Sequence, residues 1–174
     1  MNYTIFTDGA YSQKNDEGAF AFVIVKDNVE IMRKAYKISK ESNNRAELKA
    51  IIAAVHKLPQ DATKVQIISD SMYALNTLNG NCNRNANLDL FEAWDKVLAK
   101  RECLDIEFLW VKGHSGDFYN ELCDSLCTNA MGYDANKEIR TLQKDLSYDT
   151  RRIFSILFWI CISVCWNIII SNEF

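Results

Sequence analysis

Tyr3, Ile5 and Thr7 alternate with Thr4, Phe6 and Asp8 over residues 3–8, and a period of two predicts a β-strand. The longer apolar run GAFAFVIVK at 18–26 and the stretch VEIMRKAYKIS at 29–39 read as two more strands. The KDN turn signal at 26–28 joins them into an antiparallel meander. The period then changes. Glu47, Ile51, Ala54, Val55 and Leu58 fall on one helical face, with Asn43 or Asn44 as cap and Pro59 as stop. VQIIS at 65–69 predicts a short strand ending at Asp70, and a helix is expected from about Met72 to Leu78. The polar stretch NGNCNRNAN at 79–87 precedes an amphipathic helix at 88–100, whose apolar face takes Leu88, Phe91, Trp94 or Asp95, and Leu98. LDIEFLWV at 104–111 reads as the fifth strand, followed by a Gly113-His114-Ser115-Gly116 loop and a helix from about Phe118 to Met131. The order βββαβααβα predicts an α/β domain, its sheet mixing three antiparallel strands with two parallel ones, flanked by helices. Helical crossovers imply parallel pairing, which would bring Asp8, Asp70 and the His114 loop to neighbouring strand ends.

Charge narrows the partners. The 174 residues carry 20 basic and 23 acidic side chains, a net charge of −3, so no bulk positive field draws in a polyanion. Any polyanion partner must be held by a local patch or through metal ions. Six cysteines form no C-x-x-C pair and have no histidine at zinc-ligand spacing. Cys123 and Cys127 lie one helical turn apart, a spacing that suits packing. Free thiols, and an opening MNYTIFTD that reads as a strand rather than a leader, lead to the expectation of a cytoplasmic protein.

Four acids occupy positions where acids are costly. Asp8, Glu47 and Asp70 interrupt or end apolar patterns, and Asp124 lies at the edge of an apolar stripe in NELCDSLC. Carboxylates beside a core are expected to be paired or to bind a metal. Four that converge would suit a hard cation such as Mg2+. Each also has an ordinary explanation: a turn residue at Asp8-Gly9, a helix-dipole acid at Glu47, an N-cap at Asp70, an exposed helical acid at Asp124.

The order TDG, NNRAEL, SDSMYAL and WVKGHSG-x-x-x-NE-x-x-D over roughly residues 1–131 resembles type 1 ribonuclease H. The resemblance implies a ribonuclease H-like fold and hydrolysis of the RNA strand of RNA–DNA hybrids. It implies two Mg2+ ions, with Mn2+ as a substitute. Asp8 would bridge them, Glu47 and Asp70 would serve chiefly one, and Asp124 the other. His114 would help move a proton and release product. Asn43 and Asn44 would contact the hybrid's minor groove, where the 2′-OH marks RNA. Met72 stands where relatives carry Gln or Met, and it would touch a base edge or simply pack. Ser12 and Asn15 are candidate substrate contacts. His56 has no expected catalytic role.

The chain also departs from the family. The basic, Trp-containing segment of many relatives is reduced here to 79–87, with Arg84 as its single charge. Fewer cations release fewer counterions, so weak intrinsic affinity is expected, with Lys96, Lys100, Arg101 and Lys112 as partial substitutes. The loop after TDG is shortened to AYSQKNDEG. Residues 132–152 read as a polar linker. The uncharged run 153–170 is foreign to the family and, if helical, would span ~27 Å. A tail anchor making membrane contact, an oily helix packed on protein and non-native sequence all stay open for it. A monomer is the expected state. Two other functions stay open: a non-catalytic nucleic-acid-binding module and a DNA-directed nuclease of the same fold.

Overall fold

The structure, a computed structural model, describes residues 2–101 and 103–132. Of the stretch 132–152 read as a polar linker, all but residue 132 lies outside the described residues, as does the apolar run 153–170. Among those described, no helix is long and apolar enough to cross a membrane.

The order of elements follows the hydrophobic pattern. The strands are β1 (Asn2–Ser12), β2 (Glu17–Lys26), β3 (Val29–Ser39), β4 (Lys64–Ser69) and β5 (Asp105–Trp110). The helices are α1 (Asn43–Lys57), α2 (Met72–Leu78), α3 (Leu88–Leu98) and α4 (Phe118–Ala130). They build one five-stranded sheet of order β3-β2-β1-β4-β5. β1, β2 and β3 pair antiparallel, while β4 pairs parallel with both β1 and β5. The expected mixed sheet is therefore borne out.

Alternation along the strands feeds a core on each face. Tyr3, Ile5, Phe22, Ile24, Val65 and Ile67 pack with Leu48, Ile51 and Val55 of α1 and Phe91 and Trp94 of α3. On the other face Phe6, Val23, Val25 and Ile68 meet Cys123 and Cys127 of α4. Trp94, not Asp95, completes the buried face of α3, and Leu90 rather than the exposed Leu88 begins it.

Three local expectations need correction. First, β1 does not end near Asp8 but continues to Ser12, because its pairing with β2 runs on to Ser12↔Glu17. Its pairing with β4 stops at Phe6↔Ile68, so Asp8 stands just past the point where the two central strands part. Second, Ser42 rather than either asparagine caps α1, its hydroxyl accepting from the Arg45 N–H at 3.4 Å. Asn43 and Asn44 open the helix and are exposed. Third, Arg101 is not available to a polyanion. It is buried, and its guanidinium donates to the carbonyls of Leu58 and of Pro59, the latter at 2.7 Å. It thereby satisfies carbonyls left over at the end of α1. A helix of that length places this end ~22 Å from Asn43.

Candidate active site

Each acid is placed by a different element. Asp8 sits on β1 where β4 has ended, Asp70 directly follows β4, and Glu47 lies in the second turn of α1. α1 reaches β1 because Gly9 has no side chain. A Cβ there would lie 2.4 Å from the Glu47 backbone nitrogen and 2.5 Å from the Ala46 carbonyl carbon. Gly113 has a similar function for Asp70, since its Cβ would stand 2.4 Å from Asp70 Oδ2. The Asp70 backbone is held by Trp110, whose indole donates to its carbonyl at 3.0 Å. Ser71, not Asp70, caps α2, which leaves the Asp70 carboxylate uncommitted to that role.

One carboxylate oxygen from each of Asp8, Glu47 and Asp70 lies within 4.8 Å of the other two. Asp8 and Glu47 are 8% and 5% exposed. Glu47 Oε2 is buried with no hydrogen-bond partner. Burial, reinforced by the Asp70 and Asp124 charges, pushes the Asp8 carboxyl up to about 6. Burial and then the charges of Asp8 and Asp70 hold Glu47 well above the usual carboxylate range. Asp70 is raised chiefly by burial. Mutual repulsion and an unpartnered buried oxygen mark a cluster that could hold a cation. An all-oxygen donor set fits a hard divalent ion.

Asp124 and His114 form an outer pair. Asp124 lies outside the three-acid cluster, close enough to raise both Asp8 and Asp70. Its Oδ2 is 3.9 Å from His114 Nδ1, and the two side chains are 44% and 82% exposed. His114 occupies a left-handed backbone conformation, φ 53°. Two hydrogen bonds lie in and beside its loop: Ser115 Oγ donates to the Lys112 carbonyl at 2.5 Å, and the Gly116 N–H donates to Glu121 at 2.9 Å. Asp117 then caps α4.

The remaining candidates surround this centre unevenly. Asn43, Asn44 and Met72 are exposed at the starts of α1 and α2, flanking Glu47 and Asp70 in sequence. Ser12 and Asn15 lie at the far end of β1 and in the β1–β2 turn. His56 is exposed near the end of α1, away from the acids. Lys112 precedes the His114 loop, whereas Lys100 neighbours Arg101 at the remote end of α1. Most other cations are already paired, including Lys26, Arg33, Lys37, Lys49 and Arg84.

Sequence reasoning missed two supports of the site. The buried thiols of Cys123 and Cys127 donate to the carbonyls of Phe6 at 3.4 Å and of Asp8 at 3.5 Å. They tie α4 to β1 beside the acids, a role that one-turn cysteine spacing hints at only as packing. A polar cavity of about 530 Å3, lined by Tyr3, Asp27, Lys64 and Glu107 among others, lies by the starts of β1 and β4, at the end of the strands opposite the acids.

This arrangement is that of a ribonuclease H-like α/β fold, with acids gathered where the central strands part. A crystal structure of RNase H1 from Halobacterium salinarum NRC-1 superposes with a TM-score of 0.63 at 22% identity, covering 76% of this chain and 98% of that one. The RNase H family profile matches residues 1–132. A ribonuclease H of Treponema pallidum is 32% identical over 153 positions, covering 73% of this chain and 89% of the relative. One of Lachnoclostridium phytofermentans is 33% identical over 148 positions, covering 75% and 92%. The chain belongs to the RNase H family and is a ribonuclease H enzyme.

Proposed function

We propose that residues 1–131 form an endoribonuclease domain that hydrolyses the RNA strand of RNA–DNA hybrids with two divalent metal ions, Mg2+ in the first place. The observation that carries this is the cluster of Asp8, Glu47 and Asp70, with an unpartnered buried oxygen on Glu47. Bound ions would neutralise the phosphodiester, activate a water and hold the leaving oxygen. Asp8, whose carboxyl feels the charges of both Asp70 and Asp124, would help to hold both ions. Glu47 and Asp70 would hold chiefly one ion and Asp124 the other. His114 stands at the rim, its Nδ1 3.9 Å from Asp124 Oδ2, where an imidazole would serve to move a proton and help the product leave. Asn43 and Asn44 present amides able to read 2′-hydroxyls, and Met72 offers an adaptable apolar contact to a base. Ser12 and Asn15 are assigned to the more distant backbone. The free thiols of Cys82, Cys103, Cys123 and Cys127 support a reducing, cytoplasmic setting.

The test uses labelled hybrid, duplex RNA and duplex DNA with Mg2+ or Mn2+, for the wild type and Asp70→Asn. Cleavage of the hybrid's RNA strand alone, lost in the variant, is the expected result. Cleavage of duplex DNA would turn the reading toward a DNA-directed nuclease. Binding without cleavage would overturn the catalytic reading.

A further inference from the structure

We infer that Arg45 is a positioning residue: through Asn87 and Tyr73 it holds the start of α1 at a fixed distance from the start of α2, and so sets the separation of Glu47 and Asp70. The inference rests on the reading of those acids as ion ligands.

Arg45 is the third residue of α1, two before Glu47, and its side chain is only 24% exposed. Its guanidinium is used along two edges. Nε donates to Glu41, just ahead of the helix. Nη1 and Nη2 donate to the two oxygens of Asp89 on α3, at 2.8 and 2.6 Å. Nη1 also reaches Asn87 Oδ1 at 3.3 Å. Asn87 holds a left-handed conformation, φ 59°, at the head of α3, and its side chain makes no capping bond. That side chain is occupied elsewhere: Nδ2 donates to the Tyr73 hydroxyl at 2.9 Å. The direction of this relay is forced. Guanidinium only donates, so the amide oxygen must face Arg45, and the amide nitrogen must then face the phenol. Tyr73 is the second residue of α2, three after Asp70.

The chain Glu41–Arg45–Asn87–Tyr73 thus joins the two helix starts that carry Glu47 and Asp70. No other hydrogen bond between side chains of α1 and α2, or relayed through a third, is present among the described residues. A stabilising ion pair would need only Arg45 and Asp89. The second arm, through Asn87, is what couples the pair to the site. Lysine cannot replace it, because a single ammonium cannot span both edges.

Tyr73→Phe cuts the relay and leaves the Arg45–Asp89 pair intact. Arg45→Lys loosens both arms. The measurements are Mg2+ affinity by titration calorimetry, thermal melting, and kcat and KM on the hybrid. Tyr73→Phe is expected to weaken Mg2+ binding and lower kcat by roughly threefold to tenfold, with an unchanged melting midpoint. Arg45→Lys should show a larger loss together with a lower midpoint. The double variant should bind Mg2+ no worse than Arg45→Lys alone, since both changes break one chain. Wild-type Mg2+ affinity and kcat in Tyr73→Phe would overturn the inference, as would effects that multiply in the double variant. Absence of Mg2+ binding by the wild type itself would overturn the ion-site reading, and this inference with it.

Discussion

The three inner acids and the outer pair are built differently. Asp8, Glu47 and Asp70 stand on a strand, a helix and a strand end whose backbones are locked by the sheet and by the close approach at Gly9. Asp124 and His114 lie on a helix surface and in a loop, both substantially exposed. Buried carboxylates such as Asp8 and Glu47 repel one another strongly and take up a proton or a counter-charge; exposed ones are screened by water. On the proposed reading the inner acids would hold an ion, while the outer pair, facing water, would serve proton movement.

The sharpest way to break the comparison is to neutralise each half. Asp8→Asn or Glu47→Gln should lower kcat by roughly a thousandfold or more, because a ligand that meets the transition state's charge is lost. Single-turnover cleavage of the hybrid reads this, and a loss under tenfold would put the reactive centre elsewhere.

The second expectation concerns pH. Asp8 is raised from 3.8 to about 6, so between those values the folded protein binds more protons than the unfolded chain. Metal-free stability should therefore fall as pH rises through that window, by up to about 3 kcal/mol. Glu47, raised as well, adds in the same direction. Mg2+ should reverse the loss at neutral pH and bind progressively less well as pH drops below about 6. Melting curves with and without Mg2+ check the sign; metal-free stability that rises across the window would contradict it.

Two glycines sharpen the comparison further. Gly9→Ala forces backbone against backbone and should cost about 1–3 kcal/mol of stability as well as activity. Gly113→Ala meets only the tip of the Asp70 side chain, which can rotate away. It should lower activity with little change in melting. Equal melting losses in the two variants would show that both contacts are merely structural.

The smallest effect belongs to the rim. His114→Ala should lower kcat by roughly tenfold to a hundredfold, leaving Mg2+ affinity at the wild-type value. A weakened Mg2+ titration would instead place His114 inside the ion site.

Much of the fold was legible in the chain because its elements announce themselves locally. β3 and α2 have the boundaries their patterns predict, and Pro59 stops α1 just after Leu58. The four acids stood out as charges in apolar company. What stayed hidden depends on neighbours distant in sequence. Ser42 and an asparagine are equivalent caps on paper; the backbone is extended at Ser42 and already helical at Asn43, so Ser42 takes the role. Arg101 looked like an exposed cation until the end of α1 was placed against it. The thiols of Cys123 and Cys127 became ties to β1 only once α4 was laid across the sheet.

By itself, then, the sequence determined the kinds and order of elements, the family motifs and the residue types of the site. These follow from side-chain periodicity and from the cost of placing charge beside a core, both of which are local. The tertiary structure alone decided that β4 stops beside Phe6 while β1 runs on past Asp8, that α1 touches Gly9, and that one carboxylate from each of three elements converges. Convergence is set by strand register and backbone approach between segments some 40 to 60 residues apart, and a one-dimensional pattern carries no measure of either.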